Sequence, residues 1–179
     1  MPQYTEVTEV PSEDFPGKAD VEAVHAQLVS KGVQGFRMYF HPAIAVSSAQ
    51  SHLDVYGGTE AEILKCLVVA DGKDPEKPVC CVLMSAEYKW DRQKMKALTG
   101  FRDPTMASDA QLRKWTGRGS GGLDPFSIPP DVRAWIEKRL LDKPWVVGSC
   151  GSPHMGLGLS PAEILRVTGY EVVDVGKDA

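Results

Sequence analysis

The clearest pattern along the chain is a pair of apolar runs near its middle, separated by turn residues. In residues 62–70 the positions after Glu62 are apolar except for Lys65, and residues 79–84 form a second run. Because short apolar runs bounded by turn signals are typical of buried strands, both are predicted to be strands. The segment 71–78 contains Asp-Gly and Lys-Pro pairs, so the two strands are predicted to form a hairpin.

Several other segments carry apolar residues at helical spacing with capping signals at their ends. Asp20 is a candidate N-cap for a helix that ends near Gly32, and Ser108 for one that ends near Gly117. Ser160 precedes a proline and, three residues on, a glutamate, which is the sequence of a helix start. The predicted helices are residues 21–31, 43–52 (weakly), 91–98, 109–116, 131–141 with Pro130 at its first position, and 161–168.

Further strands are predicted at residues 36–40, 145–148 and 170–175, with a flexible glycine-rich loop from Gly148 to Gly156. Because strands and helices mix without a strict alternation, the predicted fold class is α/β in the mixed α+β sense. Residues 1–18 hold prolines among acidic residues and are predicted to be an extended acidic arm. Residues 19–179 are predicted to form a single domain.

Composition narrows the class of protein without identifying it. The chain has 179 residues, of which 42% are hydrophobic and 25% charged, which excludes collagen, coiled coils and disordered chains. Its net charge of -4 argues against binding nucleic acid through bulk charge. The start of the sequence lacks a signal-peptide pattern, no apolar run is long enough for a membrane span, and the four cysteines show no CxxC spacing. We therefore expect free thiols, no membrane partner and a cytoplasmic location.

The glycine-rich segment 117–122 matches the dinucleotide motif G-x-G-x-x-G literally. That motif needs a strand before it and a helix after it, whereas here a predicted helix precedes it and Pro125 follows. A dinucleotide-binding oxidoreductase is therefore disfavoured. The segment is either a plain glycine loop or a loop whose backbone amides face a ligand.

Two further positions have both a structural and a functional interpretation. Lys65 either reaches to water from a strand edge or directs its charge into a pocket. His154 is either an exposed loop histidine or a polar group of a pocket. No metal-binding spacing and no G-x-S-x-G elbow occurs, so no metal, no cofactor and no serine triad is predicted.

Basic residues concentrate in one region of this acidic chain. Residues 87–118 hold eight lysines and arginines against four acidic residues. They form either solvated helix faces or a small patch for a phosphate backbone next to the glycine loop. The candidate residues of such a nucleic-acid-contacting patch are Lys89, Arg92, Lys94 and Arg118.

Taken together and in order, these motifs resemble the YbaK/ProX family, whose members hydrolyse mischarged aminoacyl-tRNA. The resemblance covers roughly residues 21–175, and residues 1–18 look like an addition to it. Cys66 and Ser127 depart from the family's usual residues. The matching elements are Phe40-His41-Pro42, Ile63 to Val69, Ala107 to Leu112, Trp115-Thr116-Gly117, Gly121 to Phe126, and Gly148 to Leu165.

The resemblance implies a curved, barrel-like mixed sheet flanked by helices, with one pocket. In that pocket, Lys65 would hold the terminal phosphate or the carbonyl, and backbone amides near Gly121 and Gly122 would bind the carbonyl oxygen. Together with His154, these are the implied catalytic residues. The implied substrate-binding residues are His41, Ser120, Leu123, Asp124, Pro125, Phe126, Gly148, Gly151 and Ser152.

The function that the resemblance implies is a deacylase acting at the acceptor end of mischarged tRNA, chiefly Ala-tRNA(Pro) or Cys-tRNA(Pro). Prolyl-tRNA synthetase is the implied protein partner. The alternative is a non-catalytic module of the same fold that holds tRNA ends or a synthetase.

Overall fold

The apolar runs pair into two larger sheets and one small sheet in a computed structural model that describes residues 3–178. The strands are β1 Thr5–Val7, β2 Arg37–Phe40, β3 Leu64–Asp71, β4 Cys80–Ser85, β5 Tyr88–Trp90, β6 Pro104–Met106, β7 Arg133–Glu137, β8 Val146–Ser152, β9 Met155–Leu159, β10 Glu171–Val173 and β11 Gly176–Asp178. The helices are α1 Lys18–Ser30, α2 Ala49–Tyr56, α3 Arg92–Thr99, α4 Asp109–Thr116 and α5 Pro161–Thr168.

The sheet topology confirms the mixed α/β class. One sheet has the order β1-β2-β9-β8 with antiparallel neighbours, and the other has the order β10-β7-β4-β3-β6. In the second sheet β7 runs parallel to β4 and β10, while β3 is antiparallel to β4 and β6. A bridge between Ile63 and Val147 connects the two larger sheets. Because the described strands form separate sheets, barrel-like closure stays a prediction.

The central hairpin predicted from the two apolar runs is confirmed. β3 and β4 pair antiparallel from Leu64 opposite Ser85 to Val69 opposite Cys80. β4 is buried at every position, and β3 is buried at Leu64 and again from Val68 onward. Between these points the side chain of Lys65 is half-buried, so the strand carries its lysine at an opening in the core.

The predicted helix at residues 131–141 is wrong. Arg133–Glu137 is strand β7, which lies between β4 and β10 and is followed by a 3-10 turn at Lys138–Asp142. Trp135 and Ile136 are buried within this sheet. Pairing with two neighbouring strands therefore outweighs the local helix signal of Pro130, since β propensity depends on tertiary context.

The predicted glycine-rich loop from 148 to 156 is also wrong, because β8 and β9 continue through it as a hairpin. The register shifts between Ser149 and Ser152, which marks a bulge near the turn. Gly156 lies in β9 where the Tyr56 side chain presses on the strand, and a Cβ atom there would overlap the Tyr56 hydroxyl. This glycine therefore serves close packing rather than flexibility.

The helix ends show which capping signals the fold uses. Ser108 and Ser160 cap α4 and α5 as predicted, each accepting a hydrogen bond from the third helical residue. α1 instead begins at Lys18 with Gly17 as its N-cap, so Asp20 lies in the first turn.

The described part of the predicted acidic arm packs onto the fold. β1 pairs antiparallel with β2, and Phe15 is buried. The carbonyl of Pro16 accepts a 2.6 Å hydrogen bond from the Ser152 hydroxyl. Within residues 3–178, none of the helices has the length and apolar character needed to cross a bilayer.

Candidate active site

A cavity of about 380 Å³ opens between β3, α2, the glycine-rich loop before residue 124 and the turn that joins β8 to β9. Its walls combine apolar side chains from β3 with histidine, tyrosine and serine side chains from the surrounding elements. Seven of the residues predicted from the sequence line it: His41, Lys65, Ser120, Gly121, Leu123, Gly148 and Ser152.

Lys65 brings a positive charge into the cavity. It stands opposite Met84 in the β3–β4 ladder, between the buried Leu64 and the half-buried Cys66. Within residues 3–178 its ammonium group has no ion pair and no hydrogen-bond partner. A cation held by a strand at a partly enclosed site is available to an anionic or polarised group of a ligand.

The two predicted amides of the glycine loop differ in their hydrogen bonding, and only Gly121 lines the cavity. Gly121 adopts φ +77°, and its carbonyl accepts a 2.6 Å hydrogen bond from the Ser149 hydroxyl. Its N–H group donates to no other described residue. The amide of Gly122 instead donates to the Gly119 carbonyl at 3.1 Å, inside the loop. The predicted role of Gly122 as an oxyanion donor is therefore corrected to closing the loop's turn.

Residues Asp124, Pro125 and Phe126 lie beneath the loop instead of in the cavity wall. The Phe126 amide donates a 2.9 Å hydrogen bond to Asp124 Oδ1, and the Tyr170 hydroxyl donates a 3.0 Å bond to the Pro125 carbonyl. Burial raises the pKa of the Asp124 carboxyl. The predicted contact of these three residues with substrate is corrected to anchoring the loop on the core.

Of the predicted residues near the β8–β9 turn, some line the cavity and others lie behind it. His154 does not line the cavity; its carbonyl accepts a 3.1 Å hydrogen bond from the His41 amide, and the two imidazole centroids are 6.5 Å apart. Gly151 packs against Asp20 and Arg118 behind the cavity. Of this group only Ser152 and Gly148 line the cavity.

The sequence interpretation missed a cluster of polar rings in the cavity wall. His52 and Tyr56 both line the cavity, and Tyr56 bonds to Nε2 of His41 at 2.5 Å. Burial lowers the pKa of both histidines and raises that of Tyr56. His52 and Tyr56 are four residues apart in α2 and therefore share one face of the helix, which is the signal that would have identified them.

The predicted tRNA patch is not continuous with the cavity. Lys89, Arg92 and Lys94 lie on β5 and α3, where Arg92 pairs with Asp103 and Lys94 with Asp174. Arg118 is buried, so its assignment to an exposed patch is corrected; its guanidinium faces Asp20 at 3.8 Å.

A different arginine lies at the cavity rim. The guanidinium of Arg113 on α4 packs against Gly119, a residue that lines the cavity. Within residues 3–178 Arg113 forms no ion pair, so its charge is free for a ligand at the rim. Sequence reasoning counted Arg113 among the basic residues but could not separate it from its neighbours.

The four cysteines are free thiols, and Cys66 lines the cavity. Hydrogen bonding and Coulombic interaction with Cys81, together with burial, raise the pKa of Cys66, so it is held as a thiol. In the part of the chain that the structure describes, no three His, Cys, Asp or Glu side chains converge on a metal position.

Comparison with known proteins identifies a family and several relatives. The model of the aminoacyl-tRNA editing domain matches residues 44–167. The chain is 23% identical over 154 residues to the multifunctional Ser/Thr-tRNA deacylase ProXp-y of Escherichia coli. That alignment covers 85% of this chain and 90% of ProXp-y. It is 28% identical over 101 residues to the uncharacterized protein YwhH of Bacillus subtilis, covering 56% of this chain and 64% of YwhH.

Solved structures share the fold. The hypothetical protein APE2540 superposes with a TM-score of 0.75 at 25% identity, covering 86% of this chain and 99% of the other. A structure described as a candidate trans-editing enzyme for prolyl tRNA synthetase superposes with a TM-score of 0.74 at 24% identity, covering 92% and 99%.

Proposed function

The chain belongs to the aminoacyl-tRNA editing domain family, and on that premise we propose that it is a hydrolase. It cleaves the ester bond between an amino acid and the terminal adenosine of mischarged tRNA. The observation that carries this proposal is that an unpaired lysine, Lys65, and an unengaged backbone amide, that of Gly121, line the same cavity.

These two groups suit the charge that develops during ester hydrolysis. When a nucleophile attacks the ester carbonyl, the carbonyl oxygen gains negative charge, which preorganised donors stabilise more strongly than water does. The Gly121 amide supplies such a donor. Lys65 supplies a fixed cation that holds the carbonyl or the terminal phosphate and so orients the ester.

The reaction needs no covalent enzyme intermediate. A water molecule forms the new bond to the carbonyl carbon, and the neighbouring ribose hydroxyl of the substrate can hold that water by a hydrogen bond. The bond from that carbon to the ribose oxygen then breaks, and the ribose oxygen takes up the proton that the nucleophile loses. The protein's contribution is to position the ester and to stabilise the oxyanion, in agreement with a site that lacks a serine triad.

The substrate within this class is a small amino acid on tRNA. The resemblance to the YbaK/ProX family favours alanine or cysteine on tRNA(Pro), with prolyl-tRNA synthetase as a partner. The named activity of ProXp-y adds serine and threonine esters to the set to be tested. The apolar side chains of Ile63, Leu67 and Val68 narrow the cavity and support a limit on side-chain size.

A deacylation assay tests the proposal. The purified protein is expected to release alanine, cysteine or serine from mischarged tRNA(Pro), and Lys65→Ala is expected to lower kcat/KM about 100-fold or more. Lys73→Ala provides a matched control, because Lys73 is exposed in the β3–β4 loop and does not line the cavity. Retention of charged tRNA without release would instead identify the non-catalytic binding module.

A further inference from the structure

Strand β3 has one edge that is only partly paired. Just before the strand, the Ala86 amide donates a 3.0 Å hydrogen bond to the Ile63 carbonyl on the β4 side. Hydrogen-bonded and non-hydrogen-bonded positions alternate along an antiparallel pair, so the odd-numbered residues of β3 direct their backbone groups to β4. The amides and carbonyls of the even-numbered residues, including Cys66, therefore point to the opposite edge.

Two neighbours cover that opposite edge, and they leave a gap at Cys66. At one end, the bridge between Ile63 and Val147 joins the start of β3 to β8. At the other end, the Val68 carbonyl accepts a 2.9 Å hydrogen bond from the amide of Ala107, which follows β6. Within residues 3–178 no strand or loop pairs with the amide and carbonyl of Cys66 at this edge. Cys66 is thus an open hydrogen-bonding position between two closed ones.

This gap opens into the cavity. Gly148 of β8 on one side and Ala107 on the other both line the cavity, and so does Cys66. The thiol of Cys66 interacts with Cys81 on β4 and packs on the core face of the sheet. Cys66 therefore presents its peptide backbone to the cavity.

A single residue with a free amide and a free carbonyl is matched by another residue of the same kind. In a hydrogen-bonded pair of an antiparallel ladder, each residue donates its N–H to the carbonyl of the other. An aminoacyl ester carries the same two groups, an amino donor and a carbonyl acceptor, on either side of one α-carbon. An added peptide strand needs a longer free edge, whereas β8 and β6 close this edge on both sides. The gap therefore fits one aminoacyl group.

We propose that the free edge of β3 binds the aminoacyl group of the substrate as one added strand residue. The Cys66 carbonyl accepts a hydrogen bond from the α-amino group, and the Cys66 amide donates one to the ester carbonyl oxygen. This inference rests on the proposed function and adds the groups that recognise an α-amino acid. The ester oxygen has two lone pairs and can also accept from the Gly121 amide, which leaves Lys65 for the terminal phosphate.

Two esters on tRNA(Pro) that differ only at the α-carbon test recognition of the amino group. Alanyl-tRNA is compared with propionyl-tRNA, which lacks the amino group and keeps the carbon skeleton. Each kcat/KM is divided by the rate of uncatalysed hydrolysis, because the amino group itself activates the ester. The alanyl ester is expected to be preferred by about tenfold or more, the effect of one hydrogen bond from a charged donor.

Exchange of single backbone atoms tests the two groups of Cys66 directly. An α-hydroxy acid at position 66 replaces the amide N–H by oxygen, and lactic acid there is compared with Cys66→Ala, which has the same side chain on an intact amide. Loss of this donor is expected to lower kcat/KM about 100-fold on both esters. The α-hydroxy acid counterpart of Leu67 makes the Cys66 carbonyl a weaker ester acceptor. It is expected to reduce the alanyl-to-propionyl ratio several-fold.

Folding is controlled separately in each variant. The ratio measured with the variant at position 67 does not depend on how much of that protein is folded. The exchange at position 66 removes no ladder hydrogen bond, so its unfolding temperature is expected to stay close to that of Cys66→Ala. Lactic acid in place of Ala110 is the matched control, because Ala110 is exposed outside the cavity and its amide has no partner within residues 3–178. Its kcat/KM is expected to match that of the unmodified protein.

Equal normalised rates on the two esters would overturn this inference and leave the proposed deacylase standing. A lactic acid variant at position 66 that is as active as Cys66→Ala would do the same. A large loss of stability in that variant would also overturn the inference, since it would show that the amide is paired within the fold. If the unmodified protein releases no amino acid from any mischarged tRNA, the proposed function fails, and this inference with it.

Discussion

The hydroxyl of Ser149 donates a 2.6 Å hydrogen bond to the carbonyl of Gly121, and so ties strand β8 to the glycine loop that lines the cavity. Both residues line the cavity, so the bond fixes the loop at the point where catalysis is proposed. The Gly121 carbonyl belongs to the peptide group that follows this residue, so the bond fixes the loop backbone directly next to the Gly121 amide, which belongs to the preceding peptide group.

Replacing Ser149 by alanine is expected to weaken catalysis more than folding. Loss of one such hydrogen bond costs about 1 kcal/mol of stability, whereas a misdirected loop amide is expected to lower kcat about tenfold. Steady-state kinetics and thermal unfolding of Ser149→Ala provide the two measurements. Ser47→Ala is a useful control, because Ser47 lies at the exposed cavity edge and its hydroxyl forms no hydrogen bond with a residue in the range 3–178. A drop in stability with unchanged kcat would contradict the positioning role.

Gly156 is expected to tolerate no larger residue while Tyr56 is present. A Cβ atom at position 156 would overlap the Tyr56 hydroxyl and displace it from His41. We expect Gly156→Ala to destabilise the protein by about 1–3 kcal/mol, as other overpacked sites do. A double-mutant cycle with Tyr56→Ala checks the cause, since the cost of the added methyl group should fall when the hydroxyl is absent. Additive costs would show that the clash lies elsewhere.

Stability is expected to fall in mild acid through the two buried histidines. Burial lowers the pKa of both His41 and His52 below the ordinary value of 6.5, so the unfolded chain binds protons that the folded protein does not. Their contribution is therefore complete above the unfolded pKa and is lost as the pH falls from about 6.5 through the folded values. Denaturant unfolding between about pH 7.5 and 5 measures this loss.

A matched variant separates the histidines from other titrating groups. His52→Phe should show a shallower decline in unfolding free energy over the same pH range, because one of the two groups is gone. Asp124 acts in the opposite direction, since its raised pKa makes the folded protein bind the extra proton above about pH 3.8. A decline as steep as in the unmodified protein would exclude His52 as a source.

The parts of the fold that the sequence predicts well are those where local signals and tertiary packing agree. The β3–β4 hairpin is of this kind, because its two apolar runs pair with each other. The Ser108 and Ser160 caps are too, because each serine accepts a hydrogen bond from its own helix. β7 could not be predicted, because its strand identity depends on two distant neighbours.

The site residues likewise fall into those that the sequence identifies and those whose role depends on the fold. Lys65 could be identified from the sequence alone, because it is a single charged residue within an apolar run. The hydrogen bond from the Gly122 amide to the Gly119 carbonyl and the burial of Arg118 both depend on the path of the loop backbone. The spacing of residues in the sequence does not determine that path. The spacing of His52 and Tyr56 places them on one face of α2, but that this face borders the cavity depends on the fold.

Arg113 is expected to contribute more to tRNA binding than the predicted patch on β5 and α3. Its guanidinium lies at Gly119 on the cavity rim, whereas Lys89 does not reach the cavity lining. Arg113→Ala is expected to weaken binding at low salt and to reduce the slope of log affinity against log salt by about 0.7 to 0.9, the value of one phosphate contact. Binding titrations at several salt concentrations check this. A larger change for Lys89→Ala would favour the patch predicted from the sequence.

Arg118 and Asp124 are expected to behave as a coupled pair beneath the loop. Both are buried, each has a polar atom without a partner among the described residues, and the guanidinium favours the charged form of the Asp124 carboxyl against burial. Removing the cation alone leaves that carboxyl without its compensating charge. Arg118→Met should therefore destabilise the protein by about 1–3 kcal/mol.

The double variant Arg118→Met, Asp124→Asn removes both charges at nearly constant volume. It should be more stable than the sum of the single changes predicts, with a coupling energy of about 1–3 kcal/mol. Chemical denaturation of the two single variants and the double variant measures that coupling. Costs that simply add would show that Arg118 acts through Asp20, to which its guanidinium lies 3.8 Å away, and Asp20→Asn would then reproduce the loss.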